Sequence, residues 1–349
     1  MPEPLLTSDT LDPSDMRGAI AAFPEHLHEG WTRGAAADAL GYDGLGGVVV
    51  LGMGGSAIGG DLVRALCEPS APVPFLVNRA YGLPAWVDAR TLVVASSYSG
   101  GTEETLSAYD EATARGARVV AVTSGGELAA RAEAAGQPVI MIPGGLQPRA
   151  ALGYSLGVLL RLARAAGLLE LSDDDYAEAR EAARLRAALY DADDRANYAR
   201  EISGALVGHL PLVYTGVGLL EPVGLRWRTQ IHENAKHPAY GNVFPELNHN
   251  EIMGFEAAPP ELLSRMVVLV LRDREDHAQV QRRFERTREL LARHVAGWRE
   301  IDAEGEGRLG RMLSLIQLGD AVSFWLAARK RVDPTPVDTI QQLKAALAG

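Results

Sequence analysis

The chain has 349 residues, enough for two core-forming units at roughly 100 to 200 residues each. Hydrophobic residues at 47% and charged residues at 23% give enough apolar surface to offset chain entropy, which excludes an extensively disordered chain. A formal net charge of −11 argues against nucleic acid or an anionic membrane as partner, because neither gains from approaching a negative surface.

The single cysteine, Cys67, cannot close an intramolecular disulfide and reads as a small core residue of a chain suited to a reducing cytoplasm. The opening segment MPEPLLTSDTLDPSD has neither the basic region nor the apolar stretch of a signal peptide. No segment approaches the roughly 18 unbroken apolar residues that a membrane helix needs.

In chain order, an amphipathic helix is expected from about Met16 to Leu40. Short β-branched runs then alternate with helical segments, the signature of a parallel sheet. The runs are GVVVLGM, PFLVN, TLVVAS, RVVAVTS and PVIMIP, separated by AIGGDLVRALCE, TEETLSAYDEATARG and ELAARAEAAG, and they predict a five-stranded, three-layer α/β unit ending near Gly145. From Arg149 to about Gly208 the composition is rich in Ala, Leu, Arg and Glu without strand signals. It predicts long helices, with LSDDDYAEAREAARLRAALYDADDRANYAREI as a packing helix with a solvated face.

Alternation resumes with PLVYTGV, LEPVGLRWRTQIHENAK, RMVVLVLRD, EDHAQVQRRFERTRELLARHV and WREIDA. PLVYTGVGLLEPVGLRWRTQI repeats the strand, glycine turn and helix order of the first unit, so the second half reads as a degenerate duplication. Two helices close the chain, GRLGRMLSLIQLGDAVSFWLAARKR and PVDTIQQLKAALA. The expected organisation is residues 1–165 for the first unit with its leading helix, 166–208 for a helical connection, and 209–349 for the second unit with terminal helices.

Ligands of open parallel sheets bind at the carboxyl ends of strands, where the topology switches. Two unusual loops fall there. In LGMGGSAIGGD, Gly54, Gly55 and Ser56 allow close backbone approach and present N–H groups at a helix N-terminus suited to an anion. In SSYSGGTEET, Ser97, Ser99 and Thr102 supply hydroxyls while Gly100 and Gly101 leave backbone amides uncovered, so phosphate can be held without lysine. The plain alternative makes Ser99 or Thr102 only a helix cap. Two such turns at neighbouring strand ends favour a phosphate cradle.

The densest polar cluster, IHENAKHPAYGNVFPELNHNEIMGFE, holds His232, Glu233, Lys236, His237, Glu246, His249 and Glu251. It lacks HExxH or any comparable zinc spacing, so no metal is expected. His232 and His237 read as surface or hydrogen-bonded residues, whereas Glu233 and the FPELNHNE segment around His249 stand out as a shaped polar loop.

GMGGSAIGGD, SYSGGTEET, PRAALGY, HENAK, PELNHNE and the terminal DPTPVDTIQQLK together resemble the bifunctional phosphoglucose/phosphomannose isomerases of the sugar isomerase (SIS) superfamily, over nearly the whole chain. The resemblance implies an α/β fold of two tandem SIS domains, each a five-stranded parallel sheet flanked by helices in a three-layer, flavodoxin-like arrangement. It also implies a homodimer with shared active sites, a small-molecule sugar phosphate as ligand, and no cofactor. Carried onto this chain, the phosphate-binding residues are Gly54, Gly55, Ser56, Ser97, Ser99 and Thr102. The arginine of the PRAALGY-like motif is Arg149, the base is Glu233, the ring-opening group is His249, and the C-terminal lysine is Lys344. The family pattern SYSGNTEE carries asparagine where this chain has Gly101.

Such residues fit an aldose–ketose isomerisation. A partly buried carboxylate can take and return the proton, a fixed arginine can hold the anionic enediolate, and a histidine, assisted by the lysine, can move a proton during ring opening. Two other readings are a sugar-phosphate sensor without catalysis, for which the Glu233 and His249 cluster has no evident use, and a metal-dependent mannose-phosphate isomerase.

Overall fold

The computed structural model describes residues 11–192, 194 and 196–347. The expectation for the first ten residues, MPEPLLTSDT, therefore lies outside the described residues. Residues 22–184 and 305–310 form one compact unit, and residues 11–21, 185–304 and 311–347 form the other.

The single leading helix expected from Met16 to Leu40 is two helices, α1 (Met16–Ala21) and α2 (Phe23–Arg33), followed by a 3-10 turn over Gly34–Ala39. Pro24 is the reason. It fits the first turn of α2, where its missing N–H has no partner to lose, but it cannot continue a helix from α1.

The first sheet holds all five expected strands: β1 (Gly47–Leu51), β2 (Phe75–Asn78), β3 (Thr91–Ser96), β4 (Arg118–Thr123) and β5 (Val139–Met141). All neighbours pair in parallel in the order β2-β1-β3-β4-β5. The helices are α3 (Gly54–Cys67), α4 (Glu103–Ala114), α5 (Gly126–Ala134) and α6 (Leu152–Ala165). Strands β1 and β3 are buried at every residue, as a sheet covered on both faces requires, and Val49, Leu51, Val93 and Ala95 pack with Leu106, Tyr109 and Leu128. Helices α2 and α6 cross backbone against backbone. A Cβ at Gly157 would lie 2.3 Å from the Leu27 carbonyl oxygen and one at Gly30 would lie 2.1 Å from that of Tyr154. That contact fixes α6, which begins just after Arg149. Helix α7 (Asp173–Asp191) buries Tyr176, Ala179 and Ala183 and leaves its charged face exposed.

The other unit contains α8 (Tyr198–Leu206), β6 (Leu210–Gly216), α9 (Glu221–Ala235), β7 (Tyr240–Phe244), α10 (Pro260–Leu263), β8 (Met266–Arg272), α11 (Ala278–Leu291) and β9 (Gly297–Asp302). Helix α12 (Arg308–Lys330) and helix α13 (Asp338–Leu347) close the chain. The sheet is parallel in the order β7-β6-β8-β9. It has the strand order of the first sheet without an equivalent of β5, so it is four-stranded among the described residues, one strand fewer than the family resemblance implies. After β9 the chain enters α12 instead. The shared order, with the first strand central and the next two on either side of it, is what a duplicated unit leaves behind. Among the described residues no helix is long and apolar enough to cross a membrane.

Candidate active site

In the first unit, β1 and β3 are neighbours, and the chain leaves β1 for one side of the sheet and returns to the other, so their carboxyl ends mark the topological switch. Each strand runs into a helix without a capping side chain. Met53 at the start of α3 makes no side-chain cap bond, and Gly54 begins the helix at φ +50°. Thr102 occupies the cap position of α4 but does not cap it, because its hydroxyl lies 2.9 Å from the hydroxyl of Ser97. The first-turn N–H groups of both helices are thus not taken by a capping hydroxyl, and the positive ends of two helix dipoles stand at neighbouring strand ends.

The sequence-predicted residues of this unit converge. Ser56 Oγ accepts from Tyr98 N at 3.3 Å, which ties the glycine turn to the serine loop. A Cβ at Gly55 would lie 2.8 Å from the Pro148 carbonyl oxygen and 3.4 Å from the Arg149 Cα, so only glycine lets the Arg149 segment pack on that turn. Ser56, Ser97 and Arg149 are buried, Thr102 is half-buried, and Ser99 is exposed, with its Oγ accepting from Gly101 N at 3.4 Å.

Sequence reasoning missed the brace beneath this loop. Tyr98 O accepts from Ser124 N at 3.0 Å and from Ser124 Oγ at 2.6 Å, and Gly100 O accepts from Leu128 N at 2.8 Å. Gly100 has φ +68°, and a Cβ there would lie 1.9 Å from Gly125 O. The TSGGE that ends β4 was the available signal, a third hydroxyl-and-glycine turn at a neighbouring strand end. Gly101 differs: its φ is not in the left-handed region and a Cβ there meets nothing within 4 Å.

In the second unit, Glu233 lies half-buried in the last turn of α9. Helix α9 is locked to α12 by Trp227 Nε1 donating to Leu315 O at 2.7 Å, by the buried Arg226–Asp320 ion pair at 2.6 Å, and by Asn234 Nδ2 donating to Ser323 Oγ at 2.9 Å. Burial pushes the Asp320 carboxyl up, opposed by Arg226. The helix end is closed by Lys330, whose Nζ donates to Ala235 O at 2.7 Å and to Lys236 O at 2.9 Å, and by Lys236, whose Nζ donates to Glu233 O at 2.6 Å. A carboxylate here sits on a rigid support.

His249 ends the 3-10 turn Glu246–His249 after β7; it is exposed and its ring makes no hydrogen bond among the described residues. Glu233 and His249 lie on separate elements. Lys344 lies on α13, which buries none of its residues, and no bond among the described residues links it to either. His232 and His237 are held by backbone: His232 Nε2 lies 2.8 Å from Ala239 O, and His237 Nε2 lies 2.7 Å from His209 O. Burial lowers the pKa of His237. Among the described residues no group of three or more His, Cys, Asp or Glu could hold a metal ion.

The corresponding switch of the second sheet, at the ends of β6 and β8, is built differently. Here the carboxylate of Asp276 faces Gly216, 2.4 Å from where a Cβ would stand, and its Oδ2 accepts from Asp273 N at 3.0 Å. Asp273 in turn pairs with the buried Arg311 at 2.9 Å. Burial raises the Asp276 carboxyl from 3.8 to about 6. Carboxylates stand where the first sheet has hydroxyls and glycines.

A parallel α/β sheet with a glycine- and hydroxyl-lined switch point is where such a fold places an anionic ligand, and comparison with known proteins gives its class. The solved structure of the hypothetical protein TT0462 from Thermus thermophilus matches with a TM-score of 0.74 at 18% identity, covering 98% of this chain and 92% of that one. The family model described as the bacterial phospho-glucose isomerase C-terminal SIS domain matches residues 195–347. The bifunctional phosphoglucose/phosphomannose isomerase of Caldicellulosiruptor bescii is 48% identical over 86% of this chain and 89% of its own length. The protein of that name from Aquifex aeolicus is 37% identical over 86% of this chain and 90% of its own length. This chain belongs to the bifunctional phosphoglucose/phosphomannose isomerase family.

Two outcomes are expected from this geometry. Gly101→Ala leaves stability unchanged or raises it by up to about 1 kcal/mol through the unfolded chain, whereas Gly100→Ala costs more than that gain; equal Tm shifts for the two would contradict the loop packing. For Asp276, the neutral carboxyl favoured in the folded state contributes stability that is whole below about pH 4 and lost as pH rises through about 6. Asp276→Asn is therefore expected to stabilise the protein more at pH 7 than at pH 4, by on the order of 2 kcal/mol. A difference independent of pH in thermal unfolding would contradict this.

Proposed function

We propose that the protein interconverts glucose 6-phosphate, and mannose 6-phosphate, with fructose 6-phosphate through a cis-enediolate, without a metal. The observation that carries this reading is the pair of uncapped helix starts at the β1 and β3 ends, with Ser97 and Thr102 hydroxyls bonded to each other instead of to the helix. Membership of the isomerase family supports it.

In the proposed reaction Gly54, Gly55, Ser56, Ser97, Ser99 and Thr102 bind the phosphate through hydroxyls and backbone N–H groups. Binding at that remote end orients the reacting carbons. His249, assisted by Lys344, donates a proton to the ring oxygen as the C1 hydroxyl gives one up, which opens the ring. Glu233 then removes the proton from C2 of the aldose, and the electron pair moves into a C1–C2 double bond and onto O1. The same carboxyl returns the proton to C1 while the O2 hydroxyl gives up its proton, which passes to O1, and O2 becomes the carbonyl, so one base serves both carbons. Arg149, a fixed guanidinium, offsets the charge on the enediolate.

Glu233→Gln is expected to abolish turnover in a coupled assay with fructose 6-phosphate while calorimetry still shows sugar-phosphate binding. Near-normal activity would remove Glu233 as base, and activity lost on exhaustive chelation in the unaltered protein would instead favour a metal-dependent isomerase.

The reading includes a homodimer with shared active sites. Helix α13 turns Ile340, Leu343 and Leu347 outward with exposures of 44%, 60% and 75%, spaced on one helix face, and a second copy of the chain is the proposed cover. Leu343→Asp is expected to shift the protein to monomer in sedimentation; an unchanged dimer would exclude α13 from the interface. Cys67 is free and buried, with its thiol pushed up to about 12 by burial, which suits the cytoplasm proposed as its compartment.

A further inference from the structure

The loop that carries His249 is pinned at almost every residue except His249. Leu247 is buried in the second unit's core beside Phe244 and Phe284. Asn248 Nδ2 donates to Thr287 Oγ1 of α11 at 2.9 Å, and Arg283 Nη1 donates to Asn248 Oδ1 at 3.3 Å. Asn250 Nδ2 donates to Glu246 Oε1 at 2.7 Å, and Asn250 Oδ1 accepts from Glu251 N at 2.6 Å.

The strongest of these ties belongs to Glu251. Its Oε1 accepts from the hydroxyl of Tyr214 on β6 at 2.5 Å, and its Oε2 accepts from Asn242 Nδ2 on β7 at 2.8 Å. Both oxygens of the carboxylate are thus fixed to the central strand and its neighbour. Tyr214 is fully buried, and burial together with the facing carboxylate holds its phenol protonated as the donor. A charged acceptor on a buried hydroxyl makes a stronger, more directional bond than a neutral pair. An ordinary loop tether has no need of a two-pronged carboxylate two residues from a histidine whose ring is left unbonded among the described residues.

We propose that Glu251 is a positioning residue: by clamping its loop to Tyr214 and Asn242 it sets the place of the His249 imidazole for ring opening. The inference rests on the reading of His249 as the ring-opening group. Since a displacement of about 1 Å can cost on the order of a hundredfold in rate, releasing the clamp acts on kcat with little change in KM.

The test is a mutant cycle in the full-length protein with fructose 6-phosphate as substrate. Glu251→Gln puts an amide donor against the Asn242 donor. It is expected to lower kcat on the order of ten- to a hundredfold with KM nearly constant. Pairing it with Asn242→Asp reverses the direction of that bond and is expected to restore most of kcat. Tyr214→Phe, which keeps the ring and removes only the hydroxyl, should lower kcat in the same way if Glu251→Gln folds poorly. In a His249→Ala background, already slow, Glu251→Gln should cost nothing further. An unchanged kcat in both Glu251→Gln and Tyr214→Phe, or a loss that persists in full on His249→Ala, would overturn the positioning role. A His249→Ala protein as fast as the unaltered one would overturn the reading of His249 itself, and this inference with it.

Discussion

The bond on which the first unit's site depends is the one between the hydroxyls of Ser97 and Thr102. A threonine at the cap position of a helix ordinarily turns its oxygen to the first-turn N–H groups. Here it turns to the strand end, and α4 keeps its donors for something else. The bond persists because the loop between the two residues has little freedom. Gly100 is pressed backbone to backbone on Gly125, and Ser124 fastens Tyr98. An acidic chain can bind phosphate this way, since the donors are dipoles and no cation is required.

The second unit solves a different problem. Its own switch point is occupied by Asp276 and the Asp273–Arg311 pair, and the groups proposed for its chemistry sit elsewhere, on α9 and on the loop after β7. Glu233 gains a rigid support from core contacts: Trp227 in a slot of α12 and the Arg226–Asp320 pair, both buried. Removing one member of such a pair leaves an uncompensated buried charge, at a cost of about 3–5 kcal/mol. His249 has no helix beneath it, and its support is a set of side-chain bonds from a short loop to three neighbouring elements.

Much of this was legible in the residues. The five strands of the first sheet were marked by β-branched runs; for β1, β3 and β4 this follows from burial on both faces, which requires an apolar strand throughout. Strand β7 was not: YGNVF is short, half-buried and on an edge, so it carries no continuous apolar run. The break between α1 and α2 was written in Pro24, but amphipathic spacing continued across it and masked the kink. Gly54, Gly55, Ser56, Ser97, Ser99 and Thr102 stood out as candidates because glycines and hydroxyls follow directly on a buried strand, though Gly55 also has a packing reason, since only glycine there lets the Arg149 segment approach. Glu233 and His249 stood out in the densest polar cluster, but their roles, and Arg149 and Lys344 altogether, came from family resemblance, since nothing local distinguishes a catalytic Glu on a charged helix from a solvated one. The Glu251 clamp could not be read at all, because its partners Tyr214 and Asn242 meet it only through the pairing of β6 and β7.

The central claim is a proton moved between neighbouring carbons of a bound sugar phosphate. Following fructose 6-phosphate with the protein in deuterated water by NMR tests it most directly. The account expects glucose 6-phosphate and mannose 6-phosphate to appear with deuterium at C2, since a carboxylic acid exchanges its proton with solvent during the enediolate's lifetime. Fructose 6-phosphate that binds but gives neither aldose and acquires no deuterium would contradict it and favour a sensor.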